Sequence, residues 1–302
     1  MSWSAGVPHN SVPLRLATRG SRQALAQANV VAASVTASSG RMVELVLIET
    51  TGDIRLDVPL HTIGGQGVFV KEVQRAVLDG RADIAVHSAK DLPSAPPVGL
   101  VIAAFTERRS PHDVLVGSTL NGLAAGATVA SGSVRRRAQL AAVRPDLTFV
   151  ELRGNIDTRL DKVPEGGAIV MARAALEILG MTDRIDEELD VERFVPAVGQ
   201  GCVAVECRAR DDMTIEVLHT VDHGPTRRRV EVERAFLAEL GSGCSLPVGG
   251  HVVNDDLRVF LADPDQGRWV GDVVALSPGG VDSAADLGLA RTSARQLQEQ
   301  LG

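Results

Sequence analysis

The sequence predicts an α/β chain of two lobes with parallel-rich sheets, followed by a small α+β C-terminal module. Three observations predict it. Apolar strand-length runs alternate with segments of helical periodicity from about residue 14 to residue 208, and such alternation implies parallel sheets with covered faces. The length of 302 residues exceeds one ordinary core, so two or three domains are expected. From about Thr226 the rhythm changes to a helix, a glycine-rich loop, three strands and a last helix.

The elements follow in order. Residues 14–18 (LRLAT) read as a strand, and Gly20-Ser21 break it, with Ser21 placed to cap a helix. Residues 22–37 carry Leu25, Ala28, Val31 and Val35 at helical spacing. Residues 42–49 form a second strand. Residues 50–67 are rich in glycine and lack periodicity, so they form a long loop, a length that usually marks function or mobility. Residues 69–78 are helical and stop at Asp79-Gly80. Residues 82–87 are a buried strand that leaves as the irregular HSAKDLPSAPP, and 99–104 are another strand. A second block runs strand 128–130, helix 134–143, strand 147–152, helix 156–163, strand 168–172 and helix 174–179, stopped by Gly180. Residues 195–208 return to strand character. The third region holds a helix over 227–240, the loop GSGCSLPVGG, strands near 248–253, 257–262 and 268–275, and a closing helix over 284–301.

Composition narrows the function. Hydrophobic residues at 44% and charged residues at 23% belong to a folded globular chain. A net charge of −7 argues against general adhesion to nucleic acid. No apolar run is long enough to span a bilayer. The opening MSWSAGVPHNSVPLR has no basic region before an apolar stretch, so a cytoplasmic location is the default expectation. Three cysteines, Cys202, Cys207 and Cys244, without a close CxxC pair, argue against a disulfide framework and against a zinc site, so no metal is expected. Lysine occurs at Lys71, Lys90 and Lys162; arginine supplies the rest of the 31 basic residues. Any anion site is therefore built mainly from guanidinium forks, which suit carboxylate and phosphate.

Ligands of α/β sheets sit at the carboxyl ends of strands. Four charged, glycine- or serine-bearing loops follow strands here: TRGS, HSAKD, ASGSVRR and LRGNIDTR. Their convergence suggests a cleft between two α/β lobes. In 130–137 (ASGSVRRR) small residues precede a helix start, so backbone N–H groups and the hydroxyls of Ser131 and Ser133 can face an anion. Arg135 and Arg136 add bidentate donors. The plainer reading is a solvated basic face. In 152–159 (LRGNIDTR) Gly154 permits a tight turn between Arg153 and Arg159; alone, it reads as a capped turn with surface arginines. Two such motifs in one lobe point to a polyanionic ligand, phosphate or carboxylate. Lys90 and Asp91 are either a surface ion pair of little weight or an anion-binding ammonium beside a proton-handling carboxylate. Cys244 lies in a glycine loop, where a thiol is accessible, whereas Cys202 and Cys207 lie in a strand pattern and look structural.

Together the segments LRLATRGS, GVFVKE, RADIAVHSAKDLP, SVRRRAQL, LRGNIDTRL, PAVGQG, VECR and GCSLPVG resemble, in order and spacing, the porphobilinogen deaminase (hydroxymethylbilane synthase) family, from about Leu14 to the final helix. The resemblance implies two lobes like those of periplasmic binding proteins, a cleft between them, and a third domain bearing the cysteine loop. The implied boundaries are 12–106 with 200–220 for the first domain, 110–197 for the second and 224–302 for the third. It implies a dipyrromethane cofactor, made from two porphobilinogen units, on Cys244 as a thioether. Four further porphobilinogens are then added, each losing ammonia, and water releases hydroxymethylbilane. By similarity, Asp91 is the central catalytic group. Lys90, Asp91, Ser131, Ser133, Arg135, Arg136 and Arg159 hold the cofactor, and Arg19, Ser21, Gln27, Phe69, Arg153 and Arg159 meet the substrate. Loss of ammonia leaves a cationic azafulvene, which a carboxylate near the pyrrole N–H groups can stabilise. A monomer without nucleic-acid or membrane partners is implied.

The chain departs from the family pattern at several places. Thr62 and Gln66 stand where many members have lysines. Gly132 interrupts a run of small hydroxyl residues. Ile178 replaces an arginine and Ala175 a glycine, and Arg173 could compensate if it points inward. Two other readings follow from the same features: a two-lobed solute-binding or sensor protein, and a family paralogue that holds the cofactor without full elongation.

Overall fold

In this computed structural model, residues 12–50, 70–241, 247–263 and 266–302 are described. Phe69, Thr62, Gln66 and the cofactor-cysteine candidate Cys244, like most of the 50–67 loop, lie outside them.

The first sheet contains β1 (Leu14–Arg19), β2 (Val43–Ile48), β3 (Ile84–Ser88), β4 (Leu100–Phe105) and β10 (Val203–Arg208), in the order β2-β1-β3-β10-β4. The second contains β5 (Asp113–Val116), β6 (Thr128–Ala130), β7 (Thr148–Val150), β8 (Ala168–Ala172) and β9 (Glu187–Glu188), in the order β7-β6-β8-β5-β9. The third is an antiparallel meander of β11 (Val248–Val253), β12 (Asp256–Asp263) and β13 (Arg268–Ala275).

Each of the two larger sheets pairs a parallel trio with antiparallel strands, so both are mixed rather than parallel throughout. β1 runs parallel to β2 and β3, while β10 lies antiparallel between β3 and β4. β6 runs parallel to β7 and β8, while β5 is antiparallel to β8 and β9. The reason is the chain's route. β5 enters the second sheet straight from the first, and β10 returns from the second to the first. A strand that arrives from the other lobe is not bound by the right-handed helical crossover that keeps neighbouring strands parallel. β5 and α6 (Asp212–His219) have no counterpart in the sequence reading. Of residues 195–208, the structure makes only Val203–Arg208 a strand and leaves the preceding VPAVGQGC irregular.

Helix starts follow their caps. α1 (Arg22–Ser39) begins where the Ser21 hydroxyl accepts the Ala24 amide at 3.3 Å and ends at Gly40, φ 71°. Its buried face is Ala28, Val31 and Val35, packed on Leu16, Ile84 and Val205 of the first sheet. α2 (Lys71–Leu78) covers the other side, with Val73, Ala76 and Val77 against Ala17 and Ala85. α3 (Val134–Val143), α4 (Ile156–Leu160) and α5 (Arg173–Glu177) flank the second sheet. In the third module α7 (Gly224–Glu239) and α8 (Ser283–Leu301) bury Phe236, Ala290, Ala294 and Leu297 against Val252 and Leu257. Among the described residues no helix is long and apolar enough to cross a membrane.

One carboxylate joins the third module to the two segments that pass between the lobes. Glu233 of α7 is fully buried and takes both forks of Arg108, Nη1 at 2.6 Å and Nη2 at 3.1 Å. It also accepts the amides of Gly199 at 2.8 Å and Val252 at 2.9 Å. Burial alone would push this carboxyl up, but Arg108 and His251 outweigh burial and bring it down to about 2. A carboxylate held below its ordinary value of 4.5 contributes stability above that value and loses it as pH falls toward 2. The Glu233→Ala variant is expected to lose about 3–5 kcal/mol, because it strands the buried Arg108 charge. Urea unfolding at pH 7 reads this loss, and the gap between variant and native chain narrows as the pH is lowered toward 2.

Candidate active site

The motif loops meet at the carboxyl ends of parallel strands. Arg19 ends β1, and Lys90 and Asp91 follow β3 in a 3-10 turn (Ala89–Asp91). Ser131 and Ser133 follow β6, and Arg153 follows β7. Each lobe thus turns the ends of its parallel strands to the other, as the switch-point rule for open α/β sheets requires.

Lobe one supplies a polar recess. Arg19, Ser21, Gln27, His87, Ser88 and Asp91 line it. Gln27 donates through Nε2 to the Ser88 hydroxyl at 3.0 Å, which fixes the helix to the end of β3. Ser21 gives its oxygen to the helix cap, so its hydroxyl proton is the part left to face a ligand.

Lobe two supplies the guanidinium groups. Asp113 at the start of β5 is buried and binds Arg135 Nη2 at 2.7 Å and Arg136 Nη2 at 2.8 Å. Burial would raise this carboxyl, but the two arginines overcome burial and hold it well below the usual range. Arg135 also donates to the Val195 carbonyl at 2.7 Å. Arg135 is therefore braced by Asp113 and the Val195 carbonyl, and Arg136 by Asp113 and the Val170 carbonyl. Ser131 is also buried, and its hydroxyl accepts the Ser133 amide at 3.2 Å, which braces the turn. Ser133 caps α3 through the Arg136 amide. Arg137 is held by the Ser131 carbonyl and by Glu151.

Lys90 and Arg136 both reach the Gln200 carboxamide oxygen, at 3.4 and 3.5 Å, and Arg159 and Lys90 each lie in the field of Arg136 and Asp91. Burial and then Arg136 lower the Lys90 ammonium to about 8, against the pull of Asp91 and Asp113. Burial, Arg136, Arg153 and Arg19 lower Arg159 to about 10, with Asp91 opposing them. Groups that perturb each other in this way share one electrostatic space. Crowded cations on a low-dielectric wall make a strong receptor for several negative charges. The exposed pair Arg22–Asp157, at 2.9 Å, spans the two lobes at the side of the cleft; such a pair carries little energy.

The departures have a structural account in part. A Cβ on Gly132 would lie 2.7 Å from the Leu152 carbonyl, so the absence of a side chain lets the SGS and LRGN turns touch. Arg173 ion-pairs with Glu188 at 3.2 Å, so that side chain is engaged beside β9. Ile178 closes α5 and Ala175 is buried in the lobe core. Cys202 and Cys207 are buried thiols, each pushed up by burial to about 12, as expected for structural cysteines.

Fold and site together define a two-lobed α/β protein with an arginine-rich interlobe cleft suited to a ligand bearing several carboxylates. The family model described as porphobilinogen deaminase, dipyromethane cofactor binding domain, matches residues 14–216, and the porphobilinogen deaminase C-terminal domain matches residues 227–290. The porphobilinogen deaminase of Nitratidesulfovibrio vulgaris (strain DSM 19637 / Miyazaki F) is 50% identical over 246 residues, 80% of this chain and 78% of that one. That of Thermobifida fusca (strain YX) is 45% identical over 306 residues, 96% of this chain and 95% of that one. Among solved structures, the BvgS VFT2 domain of Bordetella pertussis superposes with a TM-score of 0.43 at 16% identity, over 69% of this chain and 86% of that one. The chain belongs to the porphobilinogen deaminase family.

Sequence reasoning missed Asp113 and Gln200, the two residues that tie the cations together. Asp113 follows Pro111-His112 in a stretch with no recognisable pattern, and Gln200 lies between two glycines read as strand. The Gly132→Ala variant is expected to separate the two anion loops and lose about 1–3 kcal/mol by overpacking, measured by urea unfolding against the native chain.

Proposed function

We propose that the cleft holds the carboxylates of a covalently attached pyrrole primer and of incoming porphobilinogen, with Asp91 at the reacting centre. As a member of its family the chain is a transferase, a hydroxymethylbilane synthase that polymerises porphobilinogen in tetrapyrrole biosynthesis with a dipyrromethane cofactor. The observation that carries the residue assignment is that Lys90 of one lobe, beside Asp91 in the same turn, and Arg136 of the other lobe meet at the Gln200 carboxamide oxygen, at 3.4 and 3.5 Å, with Arg159 in the field of Arg136 and Asp91.

The donor set fits that cofactor. A pair of joined porphobilinogen units carries acetate and propionate groups on both rings. Guanidinium forks bind such carboxylates in bidentate fashion, and a lysine ammonium adds a point charge. When bound, the dipyrromethane supplies the pyrrole terminus that is extended. Cys244, in its glycine loop, is the thiol assigned to anchor it.

The chain's own residues divide the work. Lys90, Arg135, Arg136 and Arg159 neutralise primer carboxylates, and Ser131 and Ser133 present the amide end of α3. Asp113 braces Arg135, and the Ser133 amide braces Ser131. Arg19, Ser21 and Gln27 receive the substrate in the recess beside Asp91, and Arg153 flanks it from the other lobe. As ammonia leaves the aminomethyl carbon, positive charge develops on the pyrrole. The Asp91 carboxylate accepts pyrrole N–H hydrogen bonds and stabilises that charge, and it can assist the proton loss that restores aromaticity. Domains divided at 12–106 with 200–220, 110–197 and 224–302, and a cytoplasmic monomer free of nucleic-acid and membrane partners, belong to the same reading. The net charge of −7 supports the absence of a nucleic-acid partner.

The Asp91→Ala variant tests the central role. It is expected to keep the native unfolding midpoint and to lose at least about a thousandfold in hydroxymethylbilane formation, on the scale of lost general acid–base and charge stabilisation. Unchanged turnover removes Asp91 from the reaction.

A further inference from the structure

Gln200 lies on the irregular return from lobe two to lobe one, in the segment VPAVGQGC. Its neighbours Gly199 and Gly201 have φ of 70° and 83°, values that favour glycine. A Cβ at Gly199 would lie 3.0 Å from the Ala89 side chain, and one at Gly201 would lie 2.6 Å from the Arg109 carbonyl. The backbone is thus pressed onto the HSAKD turn on one side and the lobe connection on the other, and Gln200 is fully buried between them.

Its carboxamide is engaged at both ends. Nε2 donates to the Pro111 carbonyl at 2.7 Å and to Asp113 Oδ1 at 2.8 Å. Oε1 accepts from Lys90 Nζ at 3.4 Å and from Arg136 Nη2 at 3.5 Å. The acceptors on one side and the donors on the other fix which end is oxygen. Both contacts lie at the long end of hydrogen-bond range. The Gln200 carbonyl in turn accepts from Arg108 Nε at 2.8 Å, the arginine that binds Glu233 of the third module.

We propose that Gln200 is a positioning residue: its carboxamide holds the Lys90 ammonium of one lobe at a fixed spacing from the Arg136–Asp113 pair of the other. Gln200 sits on the irregular segment that returns from one lobe to the other. The charges facing Lys90 are Arg135 and Arg136 on α3, Asp113 on β5 and Asp91 on its own turn. Gln200 adds a neutral acceptor that favours the charged ammonium among them. This inference rests on the assignment of Lys90 and Arg136 to carboxylate binding.

Lysine occurs at only 71, 90 and 162, so 13C,15N-lysine labelling makes the side-chain NMR titration of Lys90 readable in the intact chain. The native ammonium is expected to titrate near pH 8. The Gln200→Met variant, close in size but without the carboxamide, is expected to lower that midpoint, because it removes an acceptor that favours the charged ammonium. The alkaline limb of kcat/KM for porphobilinogen is expected to move with it. A Lys90 midpoint that stays in place in a folded Gln200→Met chain overturns the proposal, because a role confined to stability leaves it unmoved. Should that variant not fold, the native chain still decides: the Gln200 side-chain amide signals must titrate with the Lys90 midpoint, and signals that do not move refute the contact. Lys90→Met separates the two readings. If KM is unchanged in Lys90→Met while Gln200→Met shifts the Lys90 midpoint, the carboxylate assignment fails and the positioning role stands.

Discussion

Buried like charges need a buried counter-charge, and in this chain that constraint falls on Asp113. Its carboxylate binds Arg135 and Arg136 and accepts from Gln200, all beneath the surface of the cleft. Without it, two adjacent guanidinium groups and a nearby ammonium would face one another in a medium that screens them poorly. With it, one positive charge is cancelled and the cluster keeps a net positive charge. The cleft is a receptor for anions because its cations outnumber the carboxylate that supports them.

Glu233 solves the matching problem at the junction of the third module. It gathers Arg108, His251 and two backbone amides, and Arg108 reaches from there to the Gln200 carbonyl. Two carboxylates and one carboxamide thus connect all three modules through the two short segments that pass between the lobes. Such a layout fixes the point where the lobes join while leaving the cleft mouth to weaker contacts such as Arg22–Asp157. It suits a site that must retain a primer while its product lengthens.

Much of this was legible in the sequence because local chemistry and global fold agree there. The spacing of Ala28, Val31 and Val35 marks the buried face of α1, and Ser21 and the small residues before Val134 announce helix starts that the structure confirms. The anion loops were legible as small residues between a strand and a basic helix start. What was not legible depends on long-range pairing. β5 reads as no more than a short apolar run, and its partners β8 and β9 lie more than fifty residues away in sequence. The antiparallel insertion of β10 follows from the route between lobes, which periodicity does not encode. Arg135 is braced by Asp113 and the Val195 carbonyl, and neither is a sequence neighbour. Gln200 reads as part of a strand until its two positive-φ glycines are seen.

The claim beneath all of this is that an arginine-lined gap receives the carboxylates of pyrroles fastened to the chain. Intact-mass spectrometry of the protein purified from a host that makes porphobilinogen tests it most directly. The account requires a mass greater by two linked pyrrole units, mapped by peptide analysis to Cys244. A chain at its bare polypeptide mass, or an adduct on Cys202 or Cys207, contradicts it.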